Sequence, residues 1–266
     1  MKTIYICTDS ITGIFSAVHE AWKDRCREGA SGIAIRGSVE PELFCEYREI
    51  GENESKAEAV ERMILTNLGR NVYRHIYYAA LSRDEEKGEA ILGTLLAARK
   101  LRQPRRIMEH LGSPAVEKVF ELSRSVGNEA HLLTGFVRFR ELENGILFSD
   151  ITPKNQVLPC LGAHFQERFP MENWMIRDKN RGMFVVHEAG KRWVLVQEDP
   201  GVRGDEGFLR LSDQEETMQA LWREFCDTIA IRERENPRCQ RTHLPLRFRP
   251  NMTEFAGECG IDNFVK

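Results

Sequence analysis

No stretch of this 266-residue chain approaches the ~20 consecutive apolar residues of a membrane-spanning helix. No membrane association is therefore expected. The opening MKTIYICTDS has one lysine, a short apolar run and no small-residue cleavage site, so a secretory leader is not expected either. Cysteine is present but unorganised. Cys7, Cys26, Cys45, Cys160, Cys226, Cys239 and Cys259 are odd in number, and none forms a C-x-x-C pair. That usage argues against a disulfide framework, zinc or an iron–sulfur cluster, and fits reduced thiols in the cytoplasm. The familiar catalytic signatures are missing too: there is no H-E-x-x-H, no H-x-E with P-C-x-x-C and no G-x-S-x-G. Where a phosphate-binding loop would follow the first strand, Thr8-Asp9-Ser10 stands in place of the glycines. No metal and no cofactor is expected.

What is present is an ordinary globular balance. Hydrophobic residues make up 41% and charged residues 30%, enough apolar material for a core. The formal net charge of −3 excludes a polycation, so any contact with nucleic acid must come from a local patch. Acidic runs at Asp84-Glu85-Glu86 and Asp213 to Glu216 offset basic ones elsewhere.

The apolar spacing predicts a strand over Thr3–Cys7, then a helix carrying Ile11, Ile14, Phe15, Val18 and Trp22, capped by Asp9 or Ser10. A strand over Glu42–Ile50 precedes a helical block at Ser55–Leu68, Arg70–Arg83, Lys87–Leu101 and Pro114–His131. The pattern then alternates over Gly135–Arg140, turns at Asn144-Gly145 and returns over Ile146–Phe148. Asn155 is expected to cap a helix to Phe169, followed by strands at Trp174–Arg177, Met183–His187 and Arg192–Val196. Ser212-Asp213-Gln214-Glu215 reads as a capping box opening a helix with Met218, Leu221, Trp222, Phe225 and Ile229 on one face. The fold class is α+β: an antiparallel sheet with flanking helices and a central helical block. A soft boundary near residue 132 divides 1–132 from 133–266, unless the two form one integrated domain.

The sharpest local signal follows the last helix. From Arg232 to Arg249 every cation is arginine, at Arg232, Arg234, Arg238, Arg241, Arg247 and Arg249, opposed only by Glu233 and Glu235. The planar arginine fork suits phosphate or carboxylate, so the segment can hold a nucleic-acid backbone or bridge the last helix to the core. Arg138 and Arg140 would share one face of a strand beside Phe136, as a platform for a backbone or as an ordinary solvated face. His164 and Arg168 lie four apart on one helix, at the edge of the stripe Leu158, Leu161, Phe165 and Phe169. The weak catalytic candidates are His164, Asp150 after the hairpin, and His131 at an expected helix end. A further basic run, Arg99 to Arg106, sits at a helix end.

Several strings together resemble a known bacterial family. They are Asp9-Ser10-Ile11-Thr12-Gly13-Ile14-Phe15, Leu43-Phe44-Cys45-Glu46-Tyr47, Val119-Phe120-Glu121-Leu122, and Val126-Gly127-Asn128-Glu129-Ala130-His131. They continue in Phe139-Arg140-Glu141-Leu142, Glu167-Arg168-Phe169-Pro170, Asn173-Trp174, Ile229-Ala230-Ile231-Arg232-Glu233-Arg234, Gln240-Arg241 and Leu244-Pro245. The family is named for DNA metabolism and DNA repair. Its members are encoded beside a radical-SAM protein, and related domains are fused to uracil-DNA glycosylase-like domains. One departure is visible: the family's ending resembles Pro-x-Arg-Tyr-Trp, and here Leu246-Arg247-Phe248-Arg249 follows Pro245. The resemblance implies an accessory protein that binds nucleic acid and works with a radical-SAM partner. It supplies no catalytic residue. An enzyme acting on a DNA base or backbone, and a scaffold whose arginines are structural, are the alternatives.

Overall fold

A computed structural model describes residues 2–24, 29–39, 43–198 and 209–255. It has the α+β class expected, divided into two compact units: Met1–Glu129 with Lys154–Gln156, and Ala130–Pro153 with Val157–Lys266.

The first unit is built on a three-stranded parallel sheet. β1 (Lys2–Cys7) lies between β2 (Ser31–Ile35) and β3 (Cys45–Glu49). Parallel pairing needs crossovers, and α1 (Ile11–Lys23) supplies the first. Ser10 caps that helix by accepting from the Gly13 amide, and Gly13, Ile14, Phe15, Ala17, Val18 and Ala21 are buried beneath it. A Cβ at Gly13 would lie 2.2 Å from Thr8 Oγ1, so glycine is what lets the Thr8–Ser10 turn close on the helix. α2 (Glu54–Asn67), α3 (Arg70–Ala80) and α4 (Lys87–Lys100) complete the core, with α2 against α1 and α4 against β2. β2 carries no strand signal of its own, because SGIAI is five residues with a serine and a glycine and no alternation.

α5 (Pro114–Phe136) follows, with Pro114 at its first position as expected. It runs through Gly135 to Phe136, and Val137 still donates to the Leu133 carbonyl. The strand expected over Gly135–Arg140 therefore shrinks to β4 (Arg140–Glu141). A glycine in the last turn of a long helix costs only about 1 kcal/mol, too little to end it. His131 consequently lies inside α5, not at its end.

The second unit holds a five-stranded sheet in the order β4-β5-β6-β7-β8, with β5 (Leu147–Ile151), β6 (Trp174–Asp178), β7 (Met183–His187) and β8 (Val194–Gln197). It is mixed, not antiparallel throughout. β5 and β6 run parallel because α6 (Leu158–Arg168) carries the chain back between them, while the other pairs are antiparallel. At the β4–β5 hairpin only Gly145 takes a positive φ, of 78°. Gly162 lets α6 approach the sheet: a Cβ there would lie 2.8 Å from the Trp193 ring and 2.9 Å from Val185. Beneath it Phe139, Phe165, Phe169 and Trp174 pack edge-on and stacked, with ring centroids 5.0 to 6.3 Å apart. α7 (Asp213–Ile229) and the short α8 (Pro237–His243) follow. No helix among the described residues is long and apolar enough to cross a membrane.

Candidate nucleic-acid interface

The C-terminal arginines divide into two groups. Beyond α7 the chain makes a single 3-10 turn, Arg232–Arg234, and then α8. Asn236 caps α8 through the Cys239 amide at 3.0 Å, and Pro237 opens its first turn. This fixes Arg238 and Arg241 three apart, on one face of the helix. Both are exposed, as is Arg234, and among the described residues none of the three has an ion-pair partner. Glu233 and Glu235, the carboxylates nearest in sequence, do not neutralise them. Arg241 does donate to the Pro237 carbonyl of its own helix. The Arg232 side chain lies outside the described residues.

Arginines nearer the sheet are structural. Arg247 stacks over Phe248, with 4.5 Å from guanidinium to ring centroid, and Arg249 covers Phe255 at 4.7 Å. Arg138 grips Glu254 with two hydrogen bonds of 3.2 and 2.7 Å and also donates to the Gly135 and Val137 carbonyls. Burial alone would raise the Glu254 carboxyl, but the Arg138 hydrogen bonds and charge outweigh it and hold Glu254 below the usual carboxylate range. Arg140 donates to Asp150 at 2.9 Å, and Arg177 takes the other oxygen at 2.7 Å. Both guanidiniums lie over the Phe148 ring, at 5.3 and 5.5 Å. The pairing register explains the cluster, since Arg140 stands opposite Phe148 and Asp150 opposite Arg177. Arg138 and Arg140 thus do not form a shared strand platform. With α5 continuing to Phe136, they turn to separate carboxylates.

The catalytic candidates do not assemble. Asp150 is engaged by the two arginines, and its side chain is only 12% exposed. His164 is exposed on α6, its ring edge-on to Phe165 at 4.9 Å, and Arg168 is exposed one turn further on. His131 is exposed on α5. Cys7 is buried, and burial pushes its thiol up to about 12. Among the described residues no group of three or more His, Cys, Asp or Glu side chains could hold a metal ion.

Two polar centres went unread in the sequence. The buried Glu129 accepts from the Lys154 and Asn155 amides, at 3.0 and 2.8 Å, and from the Asn155 side chain at 2.8 Å. Asn155 in turn accepts from the Arg83 amide, so it tethers its segment to the first unit and does not cap α6. Val157 takes the cap position of α6 without a side-chain bond. The string Gly127-Asn128-Glu129 offered the only hint. At the carboxyl end of β1, Lys87 is 2% exposed and bonds Asp9 and the Ser82 carbonyl. Beside it Thr8 and Ser10 both donate to Glu52, at 2.5 and 2.6 Å. The Ser10 and Thr8 hydrogen bonds lower the Glu52 carboxyl, outweighing burial.

These features define a two-unit α+β protein with no assembled catalytic centre among its described residues and an exposed arginine segment near its C-terminus. The chain belongs to the DUF4130 family, a domain of unknown function, whose model matches residues 85–254. No curated protein matches the chain.

Proposed function

We propose that this chain is a nucleic-acid-binding accessory protein of DNA repair or modification, acting in the cytoplasm beside a radical-SAM partner. The observation that carries the reading is the exposure of Arg234, Arg238 and Arg241 without ion-pair partners among the described residues, on a chain of net charge −3. Desolvated or neutralised arginines would be structural, as Arg138 and Arg140 are. Solvated arginine forks set three apart on α8 present donors to successive phosphates. DNA is the favoured polymer, and the radical-SAM partner follows from the family resemblance of the strings above.

The test is fluorescence anisotropy with single- and double-stranded oligonucleotides over a salt series. Replacing Arg238 and Arg241 together with alanine should weaken binding and lower the slope of log affinity against log salt by roughly one per lost phosphate contact. An unchanged affinity and slope would refute the reading. Arg140→Ala, by contrast, should alter melting temperature more than the salt slope.

A further inference from the structure

α7 leaves its apolar side partly in water. Met218, Leu221, Trp222, Phe225 and Ile229 are each between 41% and 57% exposed, and no residue of the helix is buried. Its half-buried positions are Glu215, Gln219, Arg223 and Cys226. At 3.6 residues per turn that line lies about a quarter of a turn from the apolar stripe. The helix rests on its unit through this largely polar line and through Trp222, whose indole donates to Glu254, so that the stripe opens onto a groove it shares with Arg138, Phe139 and Thr253. Glu215 accepts from the Glu141 amide there, and Ser212 donates its own amide to the Glu141 carbonyl. A surface helix normally buries such a stripe more completely.

Two kinds of occupant are disfavoured by charge. α7 carries Asp213, Glu215, Glu216, Glu224 and Asp227 against a single Arg223. Phosphates of nucleic acid or of an anionic lipid surface would meet like charge along the whole helix. The fitting partner is a protein with a matching apolar stripe and basic residues beyond one end of it. This chain is such a protein: Arg234, Arg238 and Arg241 follow the carboxyl end of the stripe, and acids cluster at its amino end.

We propose that α7 is a homodimer interface in which two copies pack this helix antiparallel about a two-fold axis. Set antiparallel and centred on Arg223, Met218 of one copy comes beside Ile229 of the other, and Leu221 faces Phe225. The acidic first turn of each helix then comes beside the turn bearing Arg234 in its mate. A parallel arrangement would place the acids of both copies side by side. The two-fold axis makes the match at one end hold at the other. With roughly 100 Å² covered per stripe residue, the pair buries on the order of 1,000 Å², at the lower bound for a specific interface, so association in the micromolar range is expected. The proposal does not rest on the nucleic-acid reading, which the Arg238 and Arg241 variants test separately.

Sedimentation equilibrium of the full chain from low to high micromolar concentration tests it. The expected species has twice the 30.7 kDa chain mass and dissociates on dilution. Phe225→Glu should weaken association at least about tenfold with an unchanged circular dichroism spectrum. Met218→Glu, at the other end of the stripe, should do the same, which guards against one variant misfolding. Asp213→Arg and Arg234→Asp should each weaken the dimer several-fold, and the two combined should restore it. A wild-type chain monomeric throughout the range overturns the proposal. So does a dimer indifferent to Phe225→Glu and Met218→Glu. A monomer whose Trp222 fluorescence is quenched by an oligonucleotide would give the face to nucleic acid and also overturn it.

Discussion

The two units use the same chemistry to opposite ends. In the first, α1 and α4 close on the parallel sheet and α2 and α3 pack on those helices, and its charged groups are drawn inward to hold loops: Lys87 under the end of β1, Glu129 against the 154–156 segment. In the second, a tight aromatic core lies under α6, yet α7 and the edge strand β8 leave large apolar side chains in water. Val194, Leu195 and Val196 are 38% to 53% exposed, in the range of the α7 stripe. Among its described residues the first unit exposes large apolar side chains only at Leu43, Phe44 and Leu111, scattered and not on one helix face. The second adds to its core the apolar stripe of α7 and exposed arginines with no ion-pair partner among the described residues, and the proposed contacts rest on these.

The largest expected effect lies in the first unit and is asymmetric. Asp9→Ala leaves the Lys87 ammonium buried without a counter-charge and should destabilise by about 2–4 kcal/mol. Lys87→Met removes the buried charge itself and releases Asp9, whose side chain is 60% exposed, into water, so it should cost less than about 1 kcal/mol. Denaturant titration of both variants measures the difference. Equal losses would show that the pair is no more buried in its effect than the Arg138–Glu254 pair of the second unit.

That second pair should matter less and should show in pH. Its side chains are 26% and 14% exposed, so the interaction is partly screened, and Glu254→Gln should cost about 1–2 kcal/mol at neutral pH. The folded Glu254 carboxyl is depressed relative to its unfolded value. Its contribution is therefore complete above the unfolded carboxylate pKa, roughly 4.3, and is lost as pH falls through the lower folded value. Melting curves between neutral pH and roughly pH 3 should converge for wild type and Glu254→Gln at the acid end. Curves that stay parallel would remove Glu254 from the acid response.

Much of this contrast was legible in the residues, and the parts that were not have physical causes. Caps and prolines located α1, α5 and α7 because their signals are local: Ser10, Ser212 and Pro114 act within one turn. The stripe of α7 was legible as periodicity, but periodicity cannot say whether a partner covers it. The pairing of Arg140 with Asp150 was not legible, since it depends on the register of strands ten and more residues apart. Nor was the parallel pairing of β5 with β6, which the α6 crossover decides. Glu129 stood inside a recognisable string, yet its partners Lys154 and Asn155 lie 25 and 26 residues on. The run of arginines from Arg232 to Arg249 is visible in composition, but which of them are solvated, as Arg234 and Arg241 are, and which are engaged, as Arg249 is over Phe255, depends on the fold.

The finest distinction between the units comes from one substitution made twice. Ser10 accepts from the Gly13 amide at 2.9 Å, and Ser212 accepts from the Glu215 amide at 3.1 Å, so either serine-to-alanine change removes a cap normally worth ~1 kcal/mol. Ser10 also donates to Glu52, and α1 is anchored by seven buried residues, so α1 cannot fray without opening the core. Ser10→Ala should therefore lower the global melting temperature. No residue of α7 is fully buried, so it opens locally at less cost than α1, and Ser212→Ala should leave global stability almost unchanged. Its effect should appear as faster amide exchange confined to the first turns of α7, measured in dilute protein. If α7 pairs with α7 of a second copy, that exchange should slow again as protein concentration rises, in wild type and variant alike. Exchange that is fast and independent of concentration would mean that the helix stands uncovered, and would separate its exposure from any self-association.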